Sequence, residues 1–198
     1  MEIKEESGLK FGFPHGNHVI KFDDTSYYRS LFNSFPESKG VDFVAVGKDS
    51  IAFIEVKNCV GNEGECRWRI RPNNRKRETT PTKVNVESRD SLDIEVTQKV
   101  AMTLAALVGA RSFGESKLSL EELKDVVEAV FSADFINHKE TRYVILFLEG
   151  EFGSHTRSKK MIMSALQKSM RRKLKWLNCK VSVVDSSTYD KRVFQIIA

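Results

Sequence analysis

Asp42, Glu55 and Lys57 are the residues whose types and spacing suit chemistry. They lie in KGVDFVAVGKDSIAFIEVKN (39–58), two short apolar runs joined by a turn. Charges in such runs are expensive to bury unless they are paired or bind an ion. With Lys48-Asp49 as a two-residue loop, Gly47 and Ser50 close a hairpin. Val46 then faces Ile51, Val44 faces Phe53 and Asp42 faces Glu55. Facing residues project to one side with Cβ atoms about 5 Å apart, and Lys57 shares that side by the period of two. Two carboxylates and an ammonium are thereby gathered at one end of the hairpin. Repulsion between the acids has to be offset by a proton, by the lysine or by a divalent cation. Converging carboxylate oxygens suit Mg²⁺ or Mn²⁺, and a neighbouring lysine can hold a scissile phosphate. The set is complete for metal-assisted phosphodiester hydrolysis. It reads equally well as an ion pair joining a strand entrance to a strand exit.

Other elements must position this hairpin. Residues 1–20 show no clear period. DDTSYYRSLFNSF (23–35) predicts a helix, N-capped by Asp23 or Asp24, with Tyr27, Leu31 and Phe35 on one stripe. Residues 60–91 form a polar, basic, turn-rich excursion, with a short strand expected at RWRI (67–70). SLDIEVTQKVAMTLAALVGA (91–110) predicts a buried helix with acids in its first turn. SLEELKDVVEAVF (119–131) predicts a helix opened by a Ser119…Glu122 capping box. RYVILFLEG (142–150) suits a central strand, and SKKMIMSALQKSMRRKLKWL (158–177) an amphipathic helix. CKVSVVD (179–185) is a further strand, and 192–198 a short final element. This order predicts a single α/β domain over 1–198, a sandwich built on a mixed central sheet flanked by helices.

An Asp on one core strand and a Glu-x-Lys on the next, with a helix before and a helix after, resembles the PD-(D/E)xK nuclease superfamily. The likeness spans about residues 20–110 as architecture and three residues as motif. It implies a restriction-endonuclease-like fold. It also implies that Asp42, Glu55 and the Val56 carbonyl bind Mg²⁺ (or Mn²⁺), and that Lys57 positions or activates the attacking water near the phosphate. Val41 replaces the superfamily's proline, and the interior of 25–35 supplies no further acid. Some relatives carry a glutamine and a tyrosine on the following helix. Gln98 matches the former, while Met102 replaces the latter. The implied activity is a metal-dependent nuclease, with DNA the favoured substrate. The alternative is a non-catalytic nucleic-acid-binding module on the same fold.

Two segments suit contacts to a phosphate backbone. In the excursion, Arg67, Arg69, Arg71, Arg75, Lys76 and Arg77 surround Trp68. On the late helix, Lys160, Lys168, Arg171 and Lys175 form a stripe opposite the apolar one. A net charge of +5 agrees with a polyanionic partner without requiring one. A duplex cutter needs two sites, so a homodimer is compatible, although no dimer surface is legible. No GxSxG, Walker A or GxGxxG pattern occurs. His15, His18, Cys59 and Cys66 match no common zinc spacing. An odd count of three cysteines without CxxC reads as free thiols in a reducing compartment. With no apolar leader at MEIKEESG and no bilayer-length apolar run, a cytoplasmic protein with no membrane association is expected.

Overall fold

The computed structural model describes residues 1–76, 89–113, 118–137 and 140–197. Its strands are β1 (Glu2–Glu6), β2 (Leu9–Phe13), β3 (His18–Lys21), β4 (Phe43–Gly47), β5 (Ser50–Asn58), β6 (Thr141–Glu149), β7 (Lys180–Val184) and β8 (Gln195–Ile197). Its helices are α1 (Ser26–Ser30), α2 (Glu63–Arg69), α3 (Leu92–Ser112), α4 (Lys124–Val130), α5 (Ala133–Ile136) and α6 (Lys159–Lys173). A five-stranded mixed sheet runs β3-β4-β5-β6-β7. Its first three strands are antiparallel, whereas β5, β6 and β7 are parallel.

The mixed sheet flanked by helices is as expected, but its two faces are covered differently. Val44, Ile51, Phe53, Val144, Leu146 and Val181 pack with Val96, Val100, Leu107, Ile162, Leu166 and Met170 of α3 and α6. The opposite face, with Phe43, Ile54 and Phe147, packs on Phe11, Phe13 and Phe194. That second layer is a small antiparallel sheet, β1-β2-β8. Its first hairpin turns at Ser7 and Gly8, with φ of 52° and 76°, the left-handed pair that a two-residue primed turn requires. These N-terminal strands were not expected from the sequence. Glu2, Lys4 and Glu6 alternate only with Ile3 and Glu5, so β1 has no continuous apolar face to reveal it.

Several local expectations are corrected. The helix expected over 23–35 is broken into 3₁₀ turns at Phe22–Asp24 and Phe32–Ser34 around the short α1. Its cap is Thr25, whose hydroxyl accepts from Tyr28 N at 3.2 Å, and not Asp23 or Asp24. Ser30 and Ser34 donate back to the carbonyls of Ser26 and Leu31, offering the backbone alternatives to a long helix. The helix expected over 119–131 begins as a 3₁₀ turn, Leu118–Leu123. Glu122 accepts from Ser26 N and Oγ at 3.1 and 3.2 Å, a tertiary contact, and the Ser119 side chain of the expected capping box lies outside what is described.

One buried network ties the helices together. Asp93, fully buried, accepts from Ser91 Oγ at 2.5 Å, Ser169 Oγ at 2.7 Å and Lys173 Nζ at 2.7 Å. Burial alone would raise its pKa, but Lys173 and the two hydroxyls outweigh burial and hold it below the ordinary carboxylate value. Replacing Asp93 by Ala removes the acceptor shared by Lys173 and two hydroxyls and leaves the Lys173 ammonium without its counter-charge. We expect a loss of about 3–5 kcal/mol, read as a lower urea midpoint at unchanged slope.

Candidate metal and phosphate site

The β4–β5 register is the expected one, with Gly47 opposite Ser50, Val46 opposite Ile51 and Val44 opposite Phe53. Asp42 immediately precedes β4, and Glu55 and Lys57 lie on β5. By the period of two, all three share the helix-covered face of the sheet. Two contacts fix the strand entrance. Val41 N donates to the buried Thr103 Oγ1 of α3 at 3.1 Å, and Phe22 N to the Asp42 carbonyl at 3.0 Å. Valine at 41, unlike proline, supplies the first of those donors.

The carboxylates meet on a backbone amide and an ammonium. Val56 N donates to Asp42 Oδ2 at 2.6 Å. A strand residue's N–H and C=O point to the same side, so the Val56 carbonyl faces Asp42 as well. Lys99 Nζ, from α3, donates to Glu55 Oε1 at 2.6 Å and to Asp42 Oδ1 at 3.5 Å. The other Glu55 oxygen, Oε2, is buried without a hydrogen-bond partner. Side-chain exposures are 5% for Glu55, 8% for Asp42 and 17% for Lys99, so water does little screening here.

Burial pushes the Asp42 carboxyl up to about 6, against the pull of Lys99 and the Val56 amide. Glu55 is pushed up to about 8 by burial and then by Asp42, with Lys99 opposing. Burial acts to lower Lys99, but Glu55 and Asp42 outweigh it and hold the ammonium above its ordinary range. Lys57 is half-buried and is held below the ordinary lysine value by burial and by the Arg69 charge. Among the described residues it makes no hydrogen bond or ion pair. Asp23 is a further acid nearby. It is raised by burial and then by Asp24, and its Oδ1 is buried without a partner.

A family model matches residues 25–198, a span that includes Asp42, Glu55, Lys57 and Lys99. The chain belongs to the family of unknown function DUF6661. No curated protein and no solved structure is significantly similar to it.

In this DUF6661 chain, Lys99 is the residue that sequence reasoning missed. Its neighbour Gln98 was expected at the site. Gln98 Oε1 accepts from Lys39 Nζ at 3.1 Å, and no hydrogen bond joins it to Asp42 or Glu55 among the described residues. The available signal was a charged side chain at the start of the apolar part of α3. Lys99 also lines an open cleft of about 380 Å³ with Lys39, Lys76, Arg89, Glu95 and Asp90. The carboxylate pair thus adjoins a cleft lined by four cations, Lys39, Lys76, Arg89 and Lys99, and three acids, Glu37, Asp90 and Glu95.

The basic segments are arranged less simply. The strand expected at RWRI is instead helix α2, so Arg67, Arg69 and Arg71 do not form one extended row. Arg69 is buried and paired with Glu95, whereas Arg67, Arg71, Arg75 and Lys76 are exposed. Lys76 pairs with Glu37 at 2.9 Å, and Trp68 Nε1 donates to the Arg89 carbonyl at 3.0 Å. Arg77 lies outside the described residues. On α6, Lys160, Lys168 and Arg171 are exposed, as is Lys175 just beyond it. Arg171 Nη2 reaches the Val181 carbonyl at 3.4 Å.

The cysteine expectation is corrected. Cys59 and Cys66 form a disulfide, because α2 folds back over the end of β5, and Cys179 alone is a free thiol. No zinc cluster arises from the pairs weighed above. His15 binds the N-terminal ammonium, and His18 pairs with Asp125 at 3.3 Å. Among the described residues, no group of three or more His, Cys, Asp or Glu is placed to hold a metal, so any ion here relies on two carboxylates and backbone. Among the same residues, no helix is long and apolar enough to cross a membrane.

Proposed function

We propose that this protein is a metal-dependent nuclease of the PD-(D/E)xK type, acting on a nucleic acid, with DNA favoured. The observation that carries the proposal is the buried meeting of Asp42 and Glu55 beside Lys57, which has no hydrogen bond or ion pair among the described residues. The donor set fits a hard divalent cation. It offers Asp42 Oδ1, both Glu55 oxygens and the Val56 carbonyl, and Glu55 Oε2 is otherwise orphaned. Mg²⁺ or Mn²⁺ held there would neutralise phosphate charge and make water more acidic.

The chain's own groups have separable tasks. Val56 N–H fixes the Asp42 carboxylate, leaving Oδ1 for the ion. Lys57, held below the ordinary lysine value by burial and without a hydrogen-bond partner among the described residues, holds a phosphate oxygen or exchanges a proton with water. Lys39, Lys76, Arg89 and Lys99 line the cleft through which a phosphate backbone approaches, alongside the acids Glu37, Asp90 and Glu95. Arg67, Arg71, Arg75, Lys160, Lys168, Arg171 and Lys175 supply contacts that position a strand without reading its sequence. Arg69 acts through Glu95, as a support for the site rather than a phosphate ligand. We further propose a cytoplasmic setting. The Cys59–Cys66 bridge is unusual for that setting, where disulfides are rare. A homodimer would supply the second site that duplex cleavage requires.

The test is cleavage of supercoiled, branched and single-stranded DNA in Mg²⁺, Mn²⁺ or EDTA. Wild type should cut only with a divalent ion. Lys57→Ala should bind the ion normally and lose activity about a hundredfold or more. A second reading is favoured by one observation, the Lys99 bridge. If that ammonium is a permanent counterion, the fold is a non-catalytic nucleic-acid-binding module. It would then retain DNA in a salt-sensitive manner and cut nothing in any metal.

A further inference from the structure

Resting on the nuclease reading, we infer that Lys99 is an exchangeable counterion. It occupies the cation position between Asp42 and Glu55 when no divalent ion is bound, and it swings into the adjoining cleft when one enters. Three observations lead there. Lys99 Nζ contacts one oxygen of each acid, at 2.6 and 3.5 Å, which is where a bridging cation would also draw its ligands. One ammonium cannot satisfy the pair, since Val56 N takes Asp42 Oδ2 and Glu55 Oε2 is left buried and bare. Lys99 also borders the cleft with Lys39, Lys76 and Arg89, so its flexible four-carbon stem has somewhere to carry the charge.

The charges account for the exchange. One ammonium neutralises only one of two ionised carboxylates in a poorly screened site, whereas a divalent ion neutralises both. Retaining both cations would leave an excess positive charge, so ion and ammonium exclude each other. Exclusion is reciprocal. Whatever Lys99 gains from the carboxylates is subtracted from the ion's affinity, and the ion lowers Lys99's hold by the same factor. Metal loading therefore delivers a cation to the cleft where the phosphate backbone is proposed to lie. The metal-free enzyme, by contrast, keeps its acids occupied and together.

Two measurements on the intact chain test this without relying on turnover. The first is calorimetric titration of wild type and Lys99→Met with Mn²⁺ alone. We expect the variant to bind about tenfold more tightly or better. The second is lysine methylation of wild type followed by mass spectrometry, with and without Mg²⁺. Labelling of Lys99 should rise with the ion. If Lys99→Met does not fold, the labelling of wild type decides alone. Binding by wild type with equal or weaker binding by Lys99→Met would overturn the exchange and leave the metal reading intact. Lys99 labelling unchanged by a bound ion would do the same. Failure of both proteins to bind Mn²⁺ would overturn the exchange together with the metal reading, and Lys99 would stand as a fixed counterion.

Discussion

Glu55→Gln should abolish divalent-ion-dependent cleavage while leaving the metal-free protein folded and nearly as stable. The expected loss is about a thousandfold or more in rate, equivalent to some 4 kcal/mol of transition-state stabilisation. Glu55 offers the only carboxylate oxygen of the pair that is buried without a partner, so its removal takes away a ligand that nothing else replaces. The stability half of the prediction follows from the electrostatics. Burial and Asp42 push the Glu55 carboxyl up to about 8, so near pH 6 it is largely protonated in the metal-free protein. Glutamine is the uncharged isostere of that form and still accepts from Lys99. We expect stability within about 1 kcal/mol of wild type at that pH. A purely structural ion pair predicts the reverse. Removing one partner of such a pair would destabilise the fold by about 3–5 kcal/mol. Chemical denaturation at pH 6, paired with the cleavage assay, separates the two.

The second large effect is on pH. Asp42 is pushed up to about 6 and Glu55 to about 8, each chiefly by burial. Both folded values lie above those of the unfolded chain, so the native protein holds protons that the unfolded chain has released. The resulting stabilisation is complete below about pH 4 and is lost as pH rises through the folded values toward about 8. Each unit of displacement is worth about 1.4 kcal/mol, so the metal-free protein should lose several kcal/mol between pH 5 and 8. As Asp42 and Glu55 ionise across this window they raise Lys99 above its ordinary range, so its charge is secured at the alkaline end. Urea unfolding in EDTA at a series of pH values reads the slope directly. In Glu55→Gln the slope should flatten, and in wild type millimolar Mg²⁺ should restore stability most at the alkaline end. A flat wild-type profile would mean that Lys99 holds both acids ionised throughout.

The sequence revealed the hairpin more fully than its surroundings, and for a physical reason. A two-residue turn and a strict period of two leave one register, and that register brings Asp42 to Glu55 and Lys57 to the same face. Lys99 depends on something no local pattern encodes, namely which turn of α3 crosses the hairpin. Gln98, one position earlier, points about 100° away around the helix and binds Lys39 instead. RWRI misled for a related reason. Alternation over four residues does not distinguish a strand from a helix when tertiary contacts decide, here the Cys59–Cys66 bridge and the Arg69–Glu95 pair. The same contacts made the cysteine count a poor guide. Asp93 read as an acid at a helix N-terminus, yet its partners Ser169 and Lys173 lie on a helix far along the chain. Strand β1 escaped notice because its residues are mostly exposed and only its pairing with β2 defines it.

The central claim is that Asp42 and Glu55 are a metal site rather than a lysine-neutralised ion pair. Anomalous diffraction from a crystal soaked in Mn²⁺ tests it most directly. A single manganese peak is expected between Asp42 Oδ1 and Glu55, with the Lys99 ammonium displaced toward the cleft. No peak at millimolar Mn²⁺, with Lys99 still bridging the two carboxylates, would contradict it.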